Sequence, residues 1–288
     1  MQNFNYLEPG SLWEAVGILE GLEGKAFPLA GGTDLVRTFK RIGFREHGVI
    51  NLKKIPELSG VKFDGQVMSI GALSTVSELL ANSEVDEHFP VLAQAARALG
   101  TPQIRNLATI GGNLCTSSPA SDLAPALLAY QAKIIITGPN GEREVAVNEF
   151  FKGPGQNVLD RGEILTRIDL NLPVPGTIGA FLKHGVRKSH EIALVNTAVL
   201  IIPVRGSDKI AVARIALGAV GPTPFRAWQA EEQLAGAEGG LPQFEEAAKI
   251  AQELASPIDD VRASADYRKH MAGVLVKRAL FQAWGGKV

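Results

Sequence analysis

Apolar and polar positions follow several rhythms along this chain, and each predicts an element. Ala26-Phe27-Pro28-Leu29-Ala30 is a short apolar run that reads as a strand, and residues 35–40 continue as a helix with Thr33 or Asp34 as its N-cap. Gly48-Val49-Ile50-Asn51-Leu52 is the next strand, so the order resembles a small βαβ unit. Val67-Met68-Ser69-Ile70-Gly71 alternates as a strand does, and Thr75-Val76-Ser77-Glu78 has the spacing of a capping box opening a helix. Residues 91–99 carry an apolar helical face that Gly100 stops, and residues 122–130 form a helix that tolerates Pro125 only in its first turn. Ile134-Ile135-Ile136-Thr137 and Glu144-Val145-Ala146-Val147 flank Gly138-Pro139-Asn140-Gly141, a hairpin signal, and residues 163–170 supply one more strand.

The texture changes after Leu172-Pro173-Val174-Pro175-Gly176, where two prolines and a glycine suit an extended connector. Residues 195–204 and 209–220 are long β-rich runs joined through Arg205-Gly206-Ser207-Asp208. Three helices follow, over residues 227–234, 242–254 and 265–284. The fold class expected is α+β, with a first domain over 1–174, itself divided at about residues 56–57, and a second over 175–288.

Composition narrows the function. The chain has 288 residues, 29 lysines and arginines against 30 aspartates and glutamates, and a net charge of −1, which argues against the positive field that bulk nucleic-acid binding needs. No apolar run approaches the roughly 18 residues that span a bilayer. The start, Met1-Gln2-Asn3-Phe4-Asn5-Tyr6, lacks the basic and apolar regions of a signal peptide, so a cytoplasmic location is expected. Cys115 is the single cysteine, which excludes an intrachain disulfide and an iron–sulfur cluster held by this chain alone. The five histidines are scattered without ligand spacing, so no metal site is expected.

The chemistry concentrates in two double-glycine turns. The first is Ala30-Gly31-Gly32-Thr33-Asp34, between a strand and a helix start, where main-chain N–H groups and a positive helix end can meet an anion. The second is Thr109-Ile110-Gly111-Gly112-Asn113, followed by Ser117-Ser118-Pro119-Ala120-Ser121-Asp122, with Asn113 and Thr116 adding neutral donors. Glycine lacks a Cβ, so the main chain can lie flush against a phosphate; two such turns suggest an elongated anion such as a dinucleotide pyrophosphate, gripped from two sides. Neither turn has the Rossmann or P-loop spacing. Two readings of Asp122 stand: a helix cap, or an acceptor for sugar-type hydroxyls. Arg105-Asn106 reads as a surface or turn-stabilising pair, Cys115 as a small buried residue rather than a redox thiol, and Lys183 as a solvated lysine.

Thr101-Pro102-Gln103-Ile104-Arg105-Asn106-Leu107-Ala108-Thr109-Ile110-Gly111-Gly112-Asn113-Leu114, with Ser118-Pro119-Ala120-Ser121-Asp122-Leu123, resembles the flavin-binding signature of the molybdenum hydroxylases. Leu29-Ala30-Gly31-Gly32-Thr33-Asp34-Leu35 and Phe181-Leu182-Lys183-His184-Gly185-Val186-Arg187-Lys188 extend that resemblance over nearly the whole chain. It is to the FAD-binding medium subunit of the xanthine dehydrogenase and carbon monoxide dehydrogenase family. The resemblance implies a FAD-binding domain of the vanillyl-alcohol-oxidase type, then a smaller domain pairing an antiparallel sheet with a helical bundle. It implies FAD contacts from Ala30, Gly31, Gly32, Thr33 and Asp34, and from Thr109, Ile110, Gly111, Gly112, Asn113, Cys115, Thr116 and Ser118. It sets Asp122 on the flavin's sugar-like chain, Lys183 near the isoalloxazine, and Ile164 or Leu165 near the ring or adenine. No catalytic residue is expected. Substrate would be oxidised on a large molybdenum-pterin partner, and electrons would arrive through a small [2Fe–2S] partner, in a heterotrimer that is doubled. Two other readings are a free-standing flavin-dependent oxidoreductase and a scaffold subunit that has lost its flavin.

Overall fold

The computed structural model describes residues 4–23, 25–42, 48–187 and 191–285. Lys188, at the end of the 181–188 stretch, lies outside them, as do Met1 to Asn3. Among the described residues, three larger sheets with their helices organise the chain, beside a two-stranded ladder of Phe151–Gly153 and Gln156–Asn157.

The first is a three-stranded parallel sheet in the order Asn5–Leu7, Gly48–Asn51, Ala26–Leu29. The last two strands and the helix Leu35–Ile42 make the βαβ unit the sequence suggests. The helix Leu12–Gly21, which the reading above did not assign, buries Ala15, Val16 and Leu19 against Ile50 and Ile55. Its signals were present: Ser11 Oγ accepts from the Glu14 amide at 3.2 Å, and the apolar positions fall on one helical face.

The second sheet is antiparallel, in the order Val61–Phe63, Val67–Gly71, Ile164–Asn171, Lys133–Gly138, Gly141–Ala146. Ile134, Ile136, Ile168 and Leu170 face a layer of short helices that includes Val76–Ala81, Pro90–Ala98, Ile110–Cys115 and Leu123–Ala129. The capping box at Thr75 and Glu78 forms as expected: the Glu78 amide donates to Thr75 Oγ1 at 3.1 Å and the Thr75 amide to Glu78 Oε2 at 2.6 Å.

The third sheet is also antiparallel, in the order Ile178–His184, Val195–Pro203, Ile210–Gly218, Phe225–Arg226. The helices Trp228–Leu234, Leu241–Leu254 and Ala265–Ala283 belong to this part of the chain. Val195, Val199, Ile201, Ile215 and Leu217 pack with these helices, whereas Phe181, Ala198, Leu200 and Ala216 join the core of the second sheet's helices. Side chains alternate between the faces of a strand, so a strand covered on both sides must be apolar throughout. That explains the largely apolar, buried run from Val195 to Pro203, in which Asn196 and Thr197 are the buried polar residues and Asn196 faces the helices of the second sheet. The edge strand is pinned to the neighbouring helix layer by Gln94 Oε1, which accepts from the Phe181 amide at 2.8 Å.

Candidate flavin site

The strand Ala26–Leu29 delivers the chain into the first loop, and the helix Leu35–Ile42 carries it out. Gly32 sits at φ +73°, in the left-handed region that glycine enters without a Cβ penalty. The amides of Gly31, Gly32, Thr33 and Asp34 donate to no acceptor among the described residues. They therefore remain open to a ligand at the start of the helix. Asp34 is not seen as a cap: its carboxylate accepts from Arg37 at 2.9 Å instead. Lys53 Nζ donates to the Ala30 carbonyl at 3.3 Å, and burial holds the Lys53 ammonium below its usual value.

The second glycine segment is a helix, Ile110–Cys115, rather than an open turn. Thr109 caps it, its Oγ1 accepting from the Gly112 amide at 3.0 Å. The Ile110 amide donates to the Ser74 carbonyl at 3.0 Å, the Gly111 amide to Ala72 at 2.9 Å and the Asn113 amide to Thr109 at 2.9 Å. The four amides expected to wrap phosphate are thus already bonded within the protein, and this segment offers side chains instead. Its glycines serve packing: a Cβ on Gly111 would lie 2.6 Å from Ala72 Cβ and 2.7 Å from its carbonyl oxygen. The same holds in the first loop, where a Cβ on Gly31 would lie 2.7 Å from the Leu107 carbonyl carbon. The space left by these two glycines is filled by protein, not held for phosphate. The consequence is that the first loop and the chain entering the second helix lie against each other. Residues far apart in sequence thereby meet at one seam.

In and just beyond that helix, Asn113 Oδ1 accepts from Ser121 Oγ at 2.6 Å, Thr116 Oγ1 donates to the Gly112 carbonyl at 2.9 Å, and Ser118 Oγ accepts from the Ala120 amide at 3.3 Å. Ser121 Oγ also accepts from the Ala124 amide at 3.2 Å, so the start of the helix Leu123–Ala129 is served by Ser121 and not by Asp122. The cap reading of Asp122 is overturned.

Asp122 instead forms a buried ion pair with Lys183, Nζ to Oδ2 at 2.7 Å, and Asn196 Nδ2 donates to its Oδ1 at 3.1 Å. Burial pushes the Asp122 carboxyl up, against the pull of Lys183 and of the Asn196 hydrogen bond. Lys183 also donates to the Ala98 carbonyl at 3.1 Å and its side chain is only 11% exposed, which overturns the solvated reading. Lys183 and Asn196 come from the face of the third sheet that meets the second sheet's helices. Arg105 behaves as the sequence suggests, donating to the carbonyls of Arg97 and Leu99 at 3.1 and 3.0 Å. Cys115 packs against the central core, and burial pushes its thiol up to about 12, the state of an inert residue. Ile164 is enclosed in the core beneath the helix Leu12–Gly21, and Leu165 in the second core. Glu84, Glu87 and His88 bring three ligand-type atoms within 4.8 Å, but His88 Nε2 is already paired with Glu84 at 3.0 Å.

Comparison with known proteins bears directly on this site. Residues 2–174 match the FAD binding domain in molybdopterin dehydrogenase, and residues 180–283 the CO dehydrogenase flavoprotein C-terminal domain. The chain belongs to this family. It is 35% identical over 282 residues to the carbon monoxide dehydrogenase medium chain of Hydrogenophaga pseudoflava, covering 98% of this chain and 97% of that one. It is 30% identical over 290 residues to the xanthine dehydrogenase FAD-binding subunit of Escherichia coli O157:H7, covering 99% and 98%. The solved carbon monoxide dehydrogenase of H. pseudoflava superposes with a TM-score of 0.95 at 34% identity, over 100% of this chain and 99% of that one. The chain is thus the flavoprotein subunit of a multi-subunit molybdenum hydroxylase, an oxidoreductase, and FAD is its cofactor. The residues fit that cofactor: four unspent amides stand at a helix start, and a buried carboxylate keeps lone pairs free beside a fixed cation.

Sequence reading missed Asn196, Ser121 and Lys53. The signal for Asn196 was its polarity inside a largely apolar strand; Ser121 stood within the quoted signature but was given no role, and Lys53 carried no pattern at all.

Proposed function

We propose that this chain holds FAD between its first loop and the Thr109 to Asp122 segment, and relays electrons made on partner subunits to an external acceptor. The observation that carries this is the packing of Gly31 against Leu107, which brings two distant segments side by side. The open amides of residues 31–34, together with the half-positive end of the helix Leu35–Ile42, suit the pyrophosphate. Thr109, Asn113, Thr116 and Ser118 line the other side with side-chain groups. Asp122 accepts from the ribityl hydroxyls. Lys183 pairs with Asp122, opposing the upward push of burial on its carboxyl, and has one of its three N–H groups left for the flavin. FAD supplies the interconversion between one-electron and two-electron transfer, and the protein supplies binding and electrostatics.

In this reading a small [2Fe–2S] subunit delivers the electrons and a large molybdenum-pterin subunit oxidises the substrate, in a doubled heterotrimer in the cytoplasm. The FAD-binding domain spans 1–174, divided at about residues 56–57, and the C-terminal domain 175–288. The functional test is reduction of the flavin in the three-subunit complex by substrate, and its failure in the isolated chain. Flavin reduction by substrate on the isolated chain would favour a free-standing oxidoreductase. A chain that stays colourless after incubation with FAD would leave only a scaffold.

A further inference from the structure

Asn196 is wholly buried in the strand Val195–Pro203. Its Nδ2 donates to the Ser121 carbonyl at 3.0 Å and to Asp122 Oδ1 at 3.1 Å, while its Oδ1 meets no donor among the described residues. A buried amide oxygen without a donor is destabilising, and an apolar residue would suit this strand better. Gly218, directly across the strand pair, makes the space: a Cβ there would overlap Asn196 Oδ1.

What the amide adds is direction. Lys183 offers Asp122 a compact charge on a flexible stem with rotatable donors, which attracts the carboxylate without fixing its plane. Asn196 is rooted in the middle of a three-strand contact and grips both the Ser121 main chain and the second carboxylate oxygen. With both partners in place, Asp122 is held at two oxygens. Ser121 is in turn tied to Asn113, so the amide braces both ends of the segment.

We infer that Asn196 is a positioning residue for FAD, fixing the plane of the Asp122 carboxylate so that its remaining lone pairs meet the hydroxyls of the flavin's ribityl chain. This rests on the proposed contact between Asp122 and FAD. The test is a double-mutant cycle on the full-length chain stripped of flavin, with FAD itself as the probe and its fluorescence as the readout. Asn196→Val, which lacks a donor, should weaken FAD binding about tenfold, the worth of one hydrogen bond to a charged group. Asn196→Thr, nearly the shape of valine, carries its hydroxyl on Cβ, one bond short of the amide nitrogen's reach, and should lose a similar factor. In an Asp122→Ala background the Asn196→Val change should alter affinity by less than about twofold, because its target is gone. Native affinity in Asn196→Val, or an undiminished loss in the Asp122→Ala background, overturns the inference. A lowered melting temperature of the flavin-free variant with unchanged FAD affinity would likewise make Asn196 merely structural. If Asn196→Val does not fold, Asn196→Ala replaces it with the same expectations. Should Asp122→Ala itself bind FAD at native strength, the proposed Asp122 contact fails; if Asp122→Ala is weak and Asn196→Val is silent, only the positioning role fails.

Discussion

Gly31→Ala adds one methyl group at the seam between the two segments. Gly31 has no positive φ, so alanine can adopt its backbone conformation and the whole effect is steric. The new Cβ would overlap the Leu107 carbonyl oxygen and lie 2.7 Å from its carbon, whereas such atoms settle at about 3.5–4.0 Å, so the segments must part by more than about 1 Å. Overpacking of this kind costs about 1–3 kcal/mol. The reduced freedom of the unfolded alanine chain offsets about 0.4–1 kcal/mol of it. The net loss should be about 1–2 kcal/mol, a melting-point drop of roughly 2–8 °C for a chain of this size. The more telling effect is on the cofactor. A displacement of about 1 Å between groups gripping one ligand should weaken FAD retention at least tenfold. Thermal melts of the flavin-free full chain measure the first effect and FAD titration the second. Unchanged melting and unchanged FAD affinity would refute the close approach; a lower melting point with native FAD affinity would refute the idea that the two segments grip the cofactor together.

Gly17→Ala is the same substitution with the opposite sign expected: Gly17 lies on the exposed side of the helix Leu12–Gly21 with nothing within 4 Å of a new Cβ, so stability should rise by about 0.5–1 kcal/mol in a denaturant titration. Cys115 should resist a thiol reagent near pH 8 in the native chain and react stoichiometrically only after denaturation, since its thiol is pushed up to about 12; rapid native labelling would contradict the burial. Asp260 is held far below the usual carboxylate range by hydrogen bonds from Arg262 and the main chain, and by Arg268. A carboxyl depressed in the folded chain contributes its full stability above about pH 4 and loses it as the solution becomes more acid. Asp260→Asn should therefore lower the melting point near pH 7 and differ less from the native chain near pH 3; a gap that widens on acidification would refute the reasoning.

Local signals predicted local structure well. The capping box at Thr75, the hairpin between residues 138 and 141, and the long strand pair after the proline connector all form close to where their patterns placed them. The second glycine motif was misread in its local structure. Gly-Gly after Thr109 looked like an open turn, yet Thr109 caps a helix there and the neighbouring carbonyls of Ala72 and Ser74 consume its amides. Nothing local could show that, because the acceptors lie more than a dozen residues earlier in another segment.

Asp122 makes the same point more sharply. Its neighbours in sequence suggest a cap, and only the packing of the third sheet onto the second layer of helices brings Lys183 and Asn196 to it. By itself, the sequence determined the periodicity of each element, the residues able to stand in a left-handed turn, and the family. The tertiary structure decided which amides were spent and which remained open, and which buried charge met which partner. Periodicity and turn chemistry are properties of a few consecutive residues. Desolvation, hydrogen-bond satisfaction and the pairing of a buried carboxylate depend on surfaces that meet only when distant segments pack.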